Sequence, residues 1–296
     1  MGEYTHSDLA MESETEGVDG VRISEGEGGG CRIFRVQIKS PAAARQLRKP
    51  VGHYVTLECG TLQSMETDEM ERVRCALAVE IRTMAERMCG RRIKQDFTAL
   101  VVGLGNADLT ADAVGTHTVR RLAVTRHLHR KDQALFSAVG LCELAAIAPG
   151  VPARTGVETL EVIKGAAMAI EPDLIVAVDA LAARHTARLG ATVQLSDTGI
   201  VPGSGVGRGS LAVDRSTVGV PVMALGVPTV VESATLVSDM LCKAGLKVLA
   251  EELHSELKAS RGFFVSPKDV DLLTATAAVL LASSIEKAFS VVEPPI

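Results

Sequence analysis

The sequence predicts an α/β fold: a mostly parallel sheet covered by helices on both faces, with antiparallel strands added on its N-terminal side. Three observations predict it. From Phe97 onward short apolar runs recur at 99–102, 174–178, 192–195 and 221–225, each ending in a turn that contains Gly or Asp. Strands buried on both faces read this way, because neither side of the pleat meets water. Helical stretches around 112–123 and 157–170 separate the first two runs, which is the spacing of βαβ units. Before residue 60 the texture is different. Residues 32–38 (RIFRVQI) and 53–58 (HYVTLE) alternate with period two, the pattern of half-buried antiparallel strands.

Taken in order, the chain opens on an acidic head. Residues 1–30 carry eight acids against the single base Arg22, a formal −7, so that the rest of the chain, within a total of −5, holds about +2. Residues 12–30 are rich in Gly and Glu and poor in apolar side chains, and are expected to be flexible because they bury too little surface to offset ordering. Between the two alternating strands and the core runs a helix with Val73, Leu77, Ile81, Met84 and Met88 on one stripe. A last helix is expected near 268–289. Its most apolar part, Leu272 to Ala282, is about half of the roughly 20 residues a bilayer crossing needs. Six cysteines without a C-x-x-C pair fit reduced thiols in a cytosolic compartment. The nearly neutral body lacks the basic face of a nucleic-acid binder.

In open parallel sheets reacting groups gather at the carboxyl ends of the strands. Three segments bring polar residues there. The run 102–115 (VGLGNADLTADAVG) opens like a dinucleotide fingerprint, yet its third glycine position holds Asp108, whose charge opposes a pyrophosphate. Its ordinary reading is a tight turn shaped by Gly103 and Gly105, followed by a helix that Thr110 caps and Asp112 complements. Asp179 directly follows five apolar strand residues, a setting that desolvates a carboxyl and raises its pKa. The third segment, 196–207 (SDTGIVPGSGVG), holds Asp197, Thr198 and Gly199, then Gly203 and Gly205. A single Asp-Thr-Gly at the end of an expected parallel strand excludes the all-β aspartic protease fold, which uses two such loops. Ser204 is no nucleophile elbow, since Pro202 stands where G-x-S-x-G requires glycine. His117, His127 and His129 are interleaved with Arg120, Arg121, Arg126, Arg130 and Lys131, so a solvated basic helix face explains them better than metal ligation.

These residues together carry a family likeness. The stretches GLGN…TADAVG, VTRHL (124–128), APGVPARTGVETLEVIKG (148–165), PDLIVAVDALAAR (172–184), SDTGIVPGSGVG and GVPTVV (226–231), with GHYVTLE (52–58) and VSPKDVD (265–271), resemble the germination proteases of endospore-forming bacteria in their order and over most of the chain. The resemblance implies an α/β, phosphorylase/hydrolase-like fold related to the endopeptidases that mature hydrogenases. It implies a homotetrameric enzyme, made as a self-processing zymogen, that starts the degradation of small acid-soluble spore proteins in the germinating spore core. The two proposed catalytic aspartates of the family fall on Asp112 and Asp179. Residues 7–12 (SDLAME) look like the family's cleavage pattern, so self-cleavage is expected between Asp8 and Leu9. That divides the chain into a propeptide 1–8, a flexible acidic segment 9–30 and a single protease domain 31–296. No cofactor, metal, nucleic acid or membrane is expected. Two departures stand out: the stretch between Val231 and Gly262 is much shorter than in some members, and Ala111 replaces a familiar proline before Asp112, which loosens that turn.

The expected chemistry is that of two carboxyls sharing one proton, one activating water and the other protonating the carbonyl oxygen or the leaving amine. Asp112 and Asp179 form that pair, and backbone N–H groups of the Gly103–Asn106 loop or of the Gly203–Gly207 loop supply donors to the carbonyl. A metal-dependent endopeptidase of the hydrogenase-maturation type, and a non-catalytic nucleotide-binding protein of the same fold, are the alternatives.

Overall fold

The computed structural model describes residues 6–15, 17–203, 211–245, 253, 256–257 and 262–292. Its strands are β1 Val21–Gly28, β2 Cys31–Ile38, β3 Gly52–Glu58, β4 Thr98–Gly103, β5 Glu143–Ile147, β6 Leu174–Ala183, β7 Thr192–Ser196, β8 Val222–Glu232 and the short β9 Phe264–Val265. They form one sheet in the order β1-β2-β3-β7-β8-β6-β4-β5, with β9 paired to β8. The described helices are α1 Pro41–Leu47, α2 Thr67–Cys89, α3 Val114–Val119, α4 Arg126–Lys131, α5 Gln133–Val139, α6 Pro152–Thr155, α7 Thr159–Ile170, α8 Arg215–Val218, α9 Ser233–Lys243 and α10 Val270–Ala288. This is the α/β class expected from the sequence. Strands β5, β4, β6 and β8 run parallel, while β1, β2 and β3 are antiparallel.

Period two sorts the strand residues onto two faces. On one, Val55, Leu57, Ala99, Val101, Val176, Val178, Val193, Leu195, Met223 and Leu225 pack with α2 (Val73, Leu77, Ile81, Met84) and α10 (Leu273, Ala277, Leu281). The expected stripe of α2 is buried as far as Met84, with Met88 only partly covered. On the other face, Leu100, Val102, Ile175, Ala177 and Val222 pack with Leu160, Ile163 and Ala167 of α7. Farther along that face Val36, Ile38 and Tyr54 meet Ala43 and Leu47 of α1, together with Ala10 and Val18. Ser40 starts α1 by accepting the Ala43 N–H at 3.1 Å, a helix N-cap.

The structure corrects four readings. Residues 21–28 are not flexible: they form β1, an edge strand paired with β2 along its whole length. Gly29 and Gly30, with φ of 61° and 80°, make the two-residue turn that closes this hairpin. Composition misses such a strand, because its backbone partner supplies what its side chains do not. Strand β7 is antiparallel to both β3 and β8. Only residues 184–191 join it to β6, too few for the crossover a parallel strand needs. Strand β5 went unseen among the helices around it. Around Asp112 the chain forms a 3-10 turn, Thr110–Asp112, before α3.

Candidate active site

Beyond β4 the chain stays against β6, with the Leu104 N–H donating to the Val178 carbonyl at 2.8 Å. Gly105 has a φ of 95°, and a Cβ there would strike the Asp112 carbonyl oxygen; only glycine meets both conditions. The Asn106 N–H donates to Asp112 Oδ2 at 2.8 Å, and the Asp112 N–H to the Leu109 carbonyl at 2.8 Å. Two hydroxyls hold this turn from other elements. Thr229 Oγ1 of β8 donates to the Ala111 carbonyl at 2.6 Å, and Thr274 Oγ1 of α10 to the Thr110 carbonyl at 3.0 Å. Gly115 opens α3 directly against the Val178 and Leu104 backbones, with no room for a side chain. The turn that carries Asp112 is thereby pressed onto β6 at the level where β4 ends, beside Asp179. Asp179 stands within that strand rather than at its end, since β6 runs on to Ala183.

Asp179 is 5% exposed, and its Oδ1 accepts the Ala180 N–H at 2.9 Å. Burial first, then the charge of Asp112 and more weakly that of Asp8, push its carboxyl well above the usual range, against the Ala180 hydrogen bond. Burial also raises Asp112, opposed by the Asn106 N–H. Both line one cavity of about 860 Å³. Two neighbouring carboxyls with raised affinity for protons retain a proton between them where isolated ones have lost it. One of the pair is then an acid and the other a base.

The N-terminal segment lies in the same cavity. The Asp8 N–H donates to the Ala182 carbonyl at 2.8 Å, and the Ala182 N–H to Asp8 Oδ2 at 2.7 Å. Lys49 Nζ donates to the carbonyls of Ser7 at 2.9 Å and Asp8 at 3.1 Å. Gln194 Nε2 donates to the same Asp8 carbonyl at 2.8 Å, while its Oε1 accepts the Ala10 N–H at 2.7 Å. Leu9 is fully buried and packs with Leu181 and Ala183. Four residues after Asp8, Glu12 accepts the Arg184 N–H at 2.7 Å and the His185 N–H at 3.0 Å. Ser7 Oγ accepts the Leu9 N–H at 3.0 Å and donates to Glu12 at 2.5 Å.

The remaining expected site residues divide. Gly103, Gly105 and Asn106 shape the turn and do not line the cavity, whereas Thr198, Gly199 and Gly203 do; Gly205 lies outside the described residues. Asp197 is engaged elsewhere. It accepts the His53 N–H at 2.7 Å and meets His53 Nδ1 at 2.7 Å and Arg87 at 3.0 Å. Because β7 is antiparallel, its end delivers Asp197 away from the carboxyl ends of the parallel strands. Asp108 pairs with Arg154, and His129 with Glu143 at 2.5 Å. Among the described residues no group of three or more His, Cys, Asp or Glu is placed to hold a metal ion, and no helix is long and apolar enough to cross a membrane. Lys49 and Gln194 escape a reading by motif. A signal for Gln194 exists: Thr192, Gln194 and Ser196 alternate with Val193 and Leu195, so the run taken as uniformly apolar has one polar face. The Lys49 position, just past α1, carries no such signal.

Fold and site together define a class: α/β proteins that hold a segment of their own chain beside two neighbouring carboxyls, one buried (Asp179) and one half-buried (Asp112). The profile of a peptidase family described as germination protease matches residues 3–263. A germination protease of Caldanaerobacter subterraneus subsp. tengcongensis is 35% identical, covering 95% of this chain and 93% of its own. One of Clostridium acetobutylicum is 33% identical, covering 94% and 93%, and one of Halalkalibacterium halodurans is 41% identical, covering 82% and 64%. The chain belongs to the germination protease family, and by that membership it is an endopeptidase.

Proposed function

We propose that this endopeptidase starts the breakdown of small acid-soluble spore proteins in the spore core, is made as a zymogen that removes residues 1–8 itself, and uses Asp112 and Asp179 as an atypical aspartic pair. The observation that carries this reading is the shared cavity. Two carboxyls, both with raised proton affinity, stand in the same cleft as a docked segment whose acids, Asp8 and Glu12, are both held by backbone N–H groups of the β6 end and the residues after it. In the step proposed, the ionised carboxyl takes a proton from water as it attacks the peptide carbonyl, and the protonated one serves the leaving amine. The homotetramer implied by the family likeness is part of the same reading and is measured by analytical ultracentrifugation.

The test is mass spectrometry of the full chain incubated at mildly acid and neutral pH beside Asp112→Asn and Asp179→Asn. The wild type is expected to lose residues 1–8, and both variants to stay intact while folded. A fully active Asp112→Asn variant sinks the assignment of the pair.

A further inference from the structure

Asparagine in place of either aspartate removes the acid or base, but a peptide carbonyl also needs donors for the negative charge that develops on its oxygen. Two donors of the expected Gly103–Asn106 loop are engaged within the fold. The Leu104 N–H is bound to Val178 and the Asn106 N–H to Asp112. Two other donors converge on one carbonyl instead. Lys49 Nζ stands 3.1 Å and Gln194 Nε2 2.8 Å from the Asp8 oxygen. The amide of Gln194 is oriented by its far side: Oε1 accepts from the Ala10 N–H at 2.7 Å and from Thr56 Oγ1 at 3.3 Å, which leaves Nε2 aimed at the Asp8 carbonyl. Register places Gln194 opposite Asp179. Asp179 on β6 and Gln194 on β7 both pair with Gly226 of β8, from either side. Their backbones are therefore about 9–10 Å apart, two strand spacings. Gly226 presents no side chain between them, and Leu181, against which Leu9 packs, leans into that space.

Resting on the reading that the bond from Asp8 to Leu9 is cut here, we propose that Lys49 and Gln194 are catalytic residues that bind the oxyanion formed at the Asp8 carbonyl. Water adds to the Asp8 carbonyl carbon, its proton passing to the ionised carboxyl of the pair, and the C=O electron pair moves onto the oxygen between Lys49 and Gln194. Collapse re-forms the carbonyl and breaks the bond to Leu9, whose nitrogen takes a proton from the pair. The products are a carboxyl on Asp8 and an amine on Leu9. A cation and an amide donor so placed act where charge appears only in the transition state, the arrangement that accelerates acyl chemistry most. A chain presented in trans would meet the same two donors.

The experiment compares self-cleavage of the full chain in wild type, Lys49→Met and Lys49→Arg, with melting curves and hydrogen exchange at the Asp8 and Ala182 amides. Lys49→Met is expected to cleave about 10²–10³ times more slowly with both amides as protected as in wild type. Lys49→Arg, which keeps the cation, is expected to recover part of that loss. Wild-type rates in Lys49→Met overturn the proposal, and so does slow cleavage together with lost protection, which reduces Lys49 to an anchor of the segment. Lys49→Gln gives the same comparison should Lys49→Met melt early. A wild type that never cuts between Asp8 and Leu9 fails the underlying reading and takes this one with it, an outcome visible before any Lys49 variant is compared.

Discussion

Asp179 shows what a single buried carboxyl costs and supplies. Its folded-state pKa is raised by burial and by Asp112, so the native chain holds that proton more tightly than the unfolded chain does. Its contribution to stability is therefore greatest below the unfolded carboxylate's pKa, about 4, and falls as pH rises toward the raised native value. Asp179→Asn is expected to melt higher than wild type at neutral pH, with the gap closing as pH approaches about 4; melting curves across that range check it, and a gap independent of pH would contradict it. On the proposed two-aspartate reading, activity follows the same titration. The singly protonated pair is lost above its upper apparent pKa, so self-cleavage should quicken as pH falls from about 8 to about 5. A flat rate over that window would contradict the shared proton.

Among the elements, the turn 105–113 does the positioning, and most of what holds it comes from far along the chain. Thr229→Val keeps the shape of the side chain but leaves the Ala111 carbonyl without its 2.6 Å partner, a loss of about 1–3 kcal/mol for a buried acceptor. The expected result is a lower Tm and slower cleavage, with Thr229→Ser restoring both. Such support explains which features were legible in the sequence. The apolar runs at 99–102 and 174–178 announced β4 and β6, because buried parallel strands leave a strong compositional trace, although β6 runs on past Asp179 to Ala183. The edge strand β1 left none, since pairing with β2 stabilises it through the backbone. The direction of β7 was readable from an eight-residue connection, yet its apolar content suggested a parallel neighbour. Lys49 and Gln194 matter only through a contact with a segment more than 40 residues away in one case and more than 180 in the other, and no local pattern encodes that.

The whole molecule divides its labour between the faces of one sheet. The face under α2 and α10 contains the larger core, and Arg82 locks it: its guanidinium donates to the carbonyls of Ala288 at 3.1 Å, Ser290 at 2.8 Å and Ile93 at 3.1 Å. Arg82→Met removes all three bonds and should lower stability by about 2–3 kcal/mol, measured by denaturant unfolding, while cleavage well below the melting temperature stays near the wild-type rate. The opposite face holds the cavity, and there the docked segment has a kinetic meaning. Glu12 is tied to the end of β6, and residues 13–20 are all that separate it from β1. A ligand on so short a tether experiences an effective concentration on the millimolar scale. Occupancy of the cleft by the chain's own residues is then indifferent to dilution, and an untethered polypeptide competes for it only when its abundance rivals that local concentration or when the tether has been cut.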